Sequence, residues 1–433
     1  MKITIFGKSN DLPQPDVRFG RYSDAYKEAD RYVFWDEAVL LFEQKQYTAA
    51  FQSLLAYLFD PNENNVVQRI EDGILHFELV QGSKRIIGRA DTQRIVAEID
   101  VLRCLQLGLP LMRRLMEMNY ELQFCRFALL DDTIYLKYDT HIGDALPEKL
   151  YFALREMATQ ADKYDDLLIA SFPHLVPSQH TVQLPLPDTE RATKYTYLQR
   201  WIDNAFGLIY RLDSNAQAVA ISYILLNTAL KIDYLIVPQG SITDKIEFIN
   251  ELYYTDTETN IVERNNRAQR ELTAIQQLST EMLYRELYQV RATFGLASYA
   301  QPSQLFIAMG SILNDIAQCA DRRHPLIAQY ITECAVQFAL FHLGMPTCLR
   351  HYLHLMVRCL NADYFDELGF TPHYVEASTQ KLNAKALKQA LSELQTQARR
   401  TFPDFSLSVS HLNFKTPLNF VQSLIAALSA ATY

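Results

Sequence analysis

The apolar residues of this 433-residue chain change their spacing part-way along, and that change limits the folds open to it. Up to about residue 59 they recur at three- and four-residue steps, the mark of a helix face. Ala29, Tyr32, Val33 and Leu41 outline a first helix over residues 24–45, and Ala50, Leu54 and Leu58 a second over 47–59, stopped by Asp60-Pro61-Asn62. Between Val67 and Tyr138 the apolar residues alternate instead, the two-residue period of strands with one buried face. The rows cover residues 67–80, 85–89 and 94–102, with a tight turn at Gln81-Gly82-Ser83-Lys84. A short helix over 110–119, a hairpin of 124–130 and 133–138 across Asp131-Asp132, and a long helix over 146–172 complete the pattern.

These periods predict an α+β fold: an antiparallel five-stranded sheet packed with helices over residues 1–175, followed by a mainly helical region. Residues 176–194, with Pro177, Pro185 and Pro187, read as a linker. Helices are expected through 195–362, one of them running 260–293 and another opened by a capping box at Ser241-Ile242-Thr243-Asp244. Residues 363–433 read as a mixed segment packing on the helical domain: a helix over 383–399, a strand over 405–412 and a helix over 417–428.

Composition narrows the function. Thirteen glycines argue against nucleotide folds built on glycine-rich loops, and a formal charge of −9 without a dense basic run argues against nucleic acid as partner. Met1-Lys2-Ile3-Thr4-Ile5-Phe6-Gly7-Lys8 lacks the apolar run of a signal peptide, and no row of about 18 apolar residues suggests a membrane span. The six cysteines form no C-x-x-C pair and read as reduced thiols, which points to the cytoplasm.

The first 170 or so residues resemble the type III secretion chaperone-like fold, and within it the YbjN-like families. The likeness rests on Leu115-Met116-Glu117-Met118-Asn119, Phe124-Cys125-Arg126-Phe127-Ala128-Leu129, Asp131-Asp132-Thr133-Ile134-Tyr135-Leu136, Leu146-Pro147-Glu148-Lys149-Leu150 and Ala161-Asp162-Lys163-Tyr164-Asp165-Asp166-Leu167-Leu168. The resemblance implies a bacterial module that dimerises and grips extended peptide segments. In the second half, Ala229-Leu230-Lys231-Ile232-Asp233, Gln239-Gly240-Ser241-Ile242 and Glu247 faintly resemble a tellurite-resistance (TerB-like) helical domain. Pro238 and Gln239 replace the acid such domains carry there, which weakens any implied metal role.

Candidate sites are few. Cys348, His351 and His354, after His342, share a predicted helix face and are the candidates for a zinc ion, with histidines at a helix interface as the plainer reading. Asp131-Asp132 suits a turn, and Asp162, Asp165 and Asp166 a solvated helix face, better than acid–base catalysis. Phe34, Trp35, Tyr195, Tyr197, Tyr253 and Tyr254 are the candidate protein-binding anchors among 25 tyrosines and 23 phenylalanines. No catalytic residue or cofactor is indicated. The expectation is a non-enzymatic, chaperone- or adaptor-like protein, with a homodimer among the expected assemblies. The alternative is a small-ligand or metal-binding protein or enzyme with its site near Cys348, His351 and His354.

Overall fold

The computed structural model describes residues 14–178, 182–256, 258–319, 324–376, 379 and 381–433, without the side chains of Asp166 and Ala170. The segment Met1–Lys8 and part of the expected linker, 179–181, lie outside the described residues. The chain is α+β: an antiparallel sheet packed with helices precedes a helical region. It divides into two compact units, one of Tyr22–Pro185 with Gln289–Leu296, the other of Met1–Arg21, Leu186–Tyr288 and Ala297–Tyr433.

The α/β unit opens with helices α1 (Ala29–Glu43) and α2 (Tyr47–Leu58). Strands β1 (Val66–Glu71), β2 (Ile74–Gln81), β3 (Lys84–Ala90) and β4 (Arg94–Cys104) follow, then α3 (Leu109–Glu121), β5 (Arg126–Leu130), β6 (Thr133–His141), α4 (Pro147–Ser171) and β7 (Leu175–Pro177). The strand order is β1-β2-β3-β4-β6-β5, with β7 pairing the end of β4. The expected single row over 67–80 is two strands, because Asp72 and Gly73 both take positive φ (50° and 78°) and fold it into a two-residue hairpin. That split, with β7 added, turns an expected five strands into a sheet of seven.

Helix α4 crosses the sheet and buries Leu150, Leu154, Met157, Ala158 and Ala161 against it. Its polar side is occupied too. Glu156 accepts from the amides of Gln123, Phe124 and Cys125 at 2.8, 2.8 and 3.0 Å, fixing the turn that launches β5. Burial pushes that carboxyl up, and the three amides outweigh it and hold the group below its ordinary range. Asp165 is no solvated residue. It is buried and pairs with the buried Lys84 at 2.9 Å, while Lys84 Nζ also donates to Val101 O at 2.8 Å. Ser83 N meets Asp162 Oδ1 at 3.4 Å, and the side chain of Asp166 lies outside the described residues.

Residues 289–293 were expected to end a long helix; instead Gln289–Leu296 complete this unit. Thr293 is fully buried, its Oγ1 donating to Val80 O at 2.9 Å, and Gln81 Oε1 accepts from the amides of Thr293 and Phe294 at 3.1 and 2.9 Å. Gly295 N donates to Asp24 Oδ1 at 2.6 Å. These bonds answer buried polar groups that the sheet end would otherwise leave open.

The helical unit contains α5 (Asp188–Ile209), α6 (Ala218–Ile236), α7 (Gly240–Tyr254), α8 (Ile261–Gln276), α9 (Thr280–Arg285), α10 (Pro302–Asn314) and α11 (Ile316–Cys319). It continues with α12 (Leu326–His342), α13 (Thr347–Leu360), α14 (Ala362–Glu367), α15 (Ala384–Thr401) and α16 (Pro417–Ser429). The helix expected over 260–293 breaks at Ser279, whose side chain caps α9 through Met282 N at 3.2 Å. The expected linker ends early, since Pro187 sits at the N-cap of α5. The expected strand over 405–412 makes one isolated bridge, Ser406 with Thr432; its alternating Phe405 and Leu407 bury against helices instead. Nor does a capping box open α7: Glu286 accepts from Ser241 Oγ at 2.6 Å and Ile242 N at 2.8 Å.

Helix α6 is the centre of this unit. By length and composition it is the one described helix able to cross a membrane, and 83% of its window is buried among the other helices. Its polar residues are tied down. Glu333 takes Lys231 Nζ at 3.0 Å and Asn227 Nδ2 at 2.8 Å on one oxygen, and Asn361 Nδ2 at 2.6 Å on the other. With both oxygens engaged, this buried carboxylate is a structural tie between α6, α12 and the start of α14.

Candidate functional site

The feature that sets the α/β unit apart is the contrast between its two sheet edges. A strand at an edge leaves a row of main-chain donors and acceptors without a neighbour, and that row templates pairing with another chain. At the β5 edge part of that row, the pair of groups on Phe127, is closed from within. Asn119, in the last turn of α3, accepts from Phe127 N at 2.6 Å and donates to Phe127 O at 3.0 Å. One side-chain amide thus copies the two bonds a neighbouring strand would make.

The β1 edge carries no such closure among the described contacts. Its register follows from the turn: Glu71 faces Ile74 across Asp72-Gly73, and the closing pair of a two-residue hairpin is hydrogen-bonded. Main-chain groups of Glu71, Arg69 and Val67 therefore point toward β2, and those of Ile70, Gln68 and Val66 point outward. The 2.9 Å bond from Val80 N to Asn65 O has the same parity. Every residue of β1 after Val66 is exposed, including Val67 at 53% and Ile70 at 49%. Arg69 and Glu71 pair at 2.8 Å along the strand.

Apolar exposure continues on the helices. Helix α2 packs on β1, and α1 packs on α2. Of α1's fifteen residues Ala38 alone is buried, while Val33 is 63% and Leu40 54% exposed. Its two candidate anchors serve different ends: Trp35 packs its edge against Tyr57 and Tyr151, at 5.1 and 5.9 Å, and holds α1 in place. Phe34 remains half-buried.

The other candidates belong to helix packing. Tyr197 is buried against Trp201 and Tyr364, Tyr195 lies edge-on to Tyr284, and the half-buried Tyr253 donates to Asn265 Oδ1 at 2.8 Å. Tyr254, 43% exposed, lies tilted against Phe338 and edge-on to His342. Cys348, His351 and His354 do not converge. His351 Nδ1 meets Gln397 Oε1 at 3.1 Å, His354 Nδ1 meets Tyr234 Oη at 2.9 Å, and His342 Nε2 meets Asn250 Oδ1 at 2.8 Å. Burial lowers all three imidazoles, His342 and His351 to about 4. Among the described residues no group of three or more His, Cys, Asp or Glu is placed to hold a metal ion. An open, mostly apolar hollow lies by Leu313, Ile316 and Gln422 and gathers no set of convergent polar groups.

No protein-family model matches the chain, and no curated protein matches it.

Proposed function

We propose that the α/β unit is a protein-binding module of chaperone or adaptor type that takes an extended segment of a partner along β1. The observation that carries this reading is the asymmetry of the sheet: Asn119 takes up both outward main-chain groups of Phe127 on β5, whereas the outward main-chain groups of Gln68 and Ile70 lie on an exposed, partly apolar strand. Strand addition supplies affinity through main-chain bonds and selectivity through side chains at alternate positions. Val67 and the exposed apolar residues of α1 supply the selective surface. The resemblance to YbjN-like proteins supports the same role.

The test uses the full chain and a displayed library of extended peptides. Selected binders should lose affinity when alternate peptide amides are methylated. Gln68→Pro removes an outward N–H without removing a bond to β2, and an edge strand tolerates that change. It should weaken binding at least tenfold while circular dichroism stays unchanged. Equal binding by a folded Gln68→Pro chain would refute strand addition.

A further inference from the structure

Residues 14–21 belong with the helical unit although helices begin there only at Asp188. The segment adds neither a strand nor a helical turn. Gln14 exchanges bonds with Thr371, Nε2 to Oγ1 at 3.1 Å and Oε1 from the amide at 3.3 Å. Phe19, 3% exposed, sits among His354, Phe365 and Phe370 with ring centres at 5.2, 5.1 and 5.6 Å. Gly20 donates its N–H to Tyr234 O at 2.7 Å and takes φ +66°, where a Cβ would come within 2.7 Å of the Tyr234 ring. Arg21 reaches two acids, Asp233 at 2.5 Å and Glu247 at 2.9 Å.

Each contact reads a side chain, or a missing one, at a spaced position, which is how a groove recognises a short linear sequence. The walls are also bonded to one another. Tyr234 is held by His354, and Tyr364 Oη donates to Leu235 O at 2.9 Å; these residues lie on α6, α13 and α14. We propose that the helical unit carries a receptor groove for an extended polypeptide with an aromatic residue, glycine and arginine in succession, and that the chain's own Phe19-Gly20-Arg21 is its resident occupant. The aromatic pocket selects the first residue, the approach to Tyr234 demands the second, and the Asp233–Glu247 pair demands the cation. A partner protein presenting such a sequence displaces the resident segment, so the groove is held closed in its absence.

The test is made in the full chain with Gly20→Ala, which brings a Cβ against Tyr234 and loosens the segment. A fluorescent peptide of residues 14–22 should bind this variant at least tenfold more tightly than the wild-type chain, whose groove is filled. The same peptide carrying Arg21→Glu should not bind. Three results would overturn the proposal. One is a folded Gly20→Ala chain that ignores the peptide. Another is a Gly20→Ala chain whose helical unit melts, which would make the segment part of the core. A wild-type dimer that the peptide dissociates would put a second copy in the groove and equally contradict a partner protein as its occupant.

Discussion

At the scale of single residues, the histidines proposed for zinc explain themselves through burial. His351 lies on α13 facing Gln397, with Arg350 beside it, and its imidazole is held at about 4. An unfolded histidine titrates near 6.5, so below that pH the unfolded chain takes up protons that the folded chain refuses. The folded state loses stability as pH falls from about 6.5 toward 4, at about 1.4 kcal/mol for each unit of depression. His342 and His354 add in the same direction. The expected outcome is a thermal midpoint that drops clearly between pH 7 and pH 5, and a shallower drop for His351→Gln. Matching profiles for the two chains would remove His351 as a cause.

At the scale of elements, the decisive contrast lies between β1 and β5, and one side chain makes it. Asn119→Ala leaves both main-chain groups of Phe127 without their partner and should cost about 1–2 kcal/mol in denaturant unfolding. It should also leave the β5 edge fully unpaired, seen as added self-association in sedimentation. The helices and the alternating strands were legible because their apolar periods are long and regular. The Asp72-Gly73 turn was legible in principle as a two-residue hairpin signal, but the apolar residues on either side continue without a gap and hide it. In the sequence Asn119 marks the end of a helix. Its partner, Phe127, is eight residues away across a turn, and periodicity does not report such a bond. The 405–412 row misled because burial against helices produces the same alternation as burial in a sheet.

At the scale of the whole chain, unit membership departs from sequence order in two places. Residues 14–21 join the helical unit, and Gln289–Leu296 join the α/β unit. Neither crossing leaves a periodic trace, because each works through individual contacts: Phe19 in an aromatic pocket, and Thr293 beneath β2. The Lys84–Asp165 pair was hidden for the same reason, its members being 81 residues apart, with the acid on a helix that reads as amphipathic. What a linear reading reaches is the class of fold and the existence of a sheet with edges; which edge stays open is a property of the folded chain.

Amide hydrogen exchange along β1 tests that property most directly. In the free protein, Gln68 and Ile70 should exchange quickly while Val67 and Arg69, bonded to β2, stay protected; a selected peptide should then slow Gln68 and Ile70 alone on that strand. Protection of Gln68 and Ile70 before any peptide is added, or peptide binding that leaves their exchange unchanged, would contradict an open β1 edge as the binding surface.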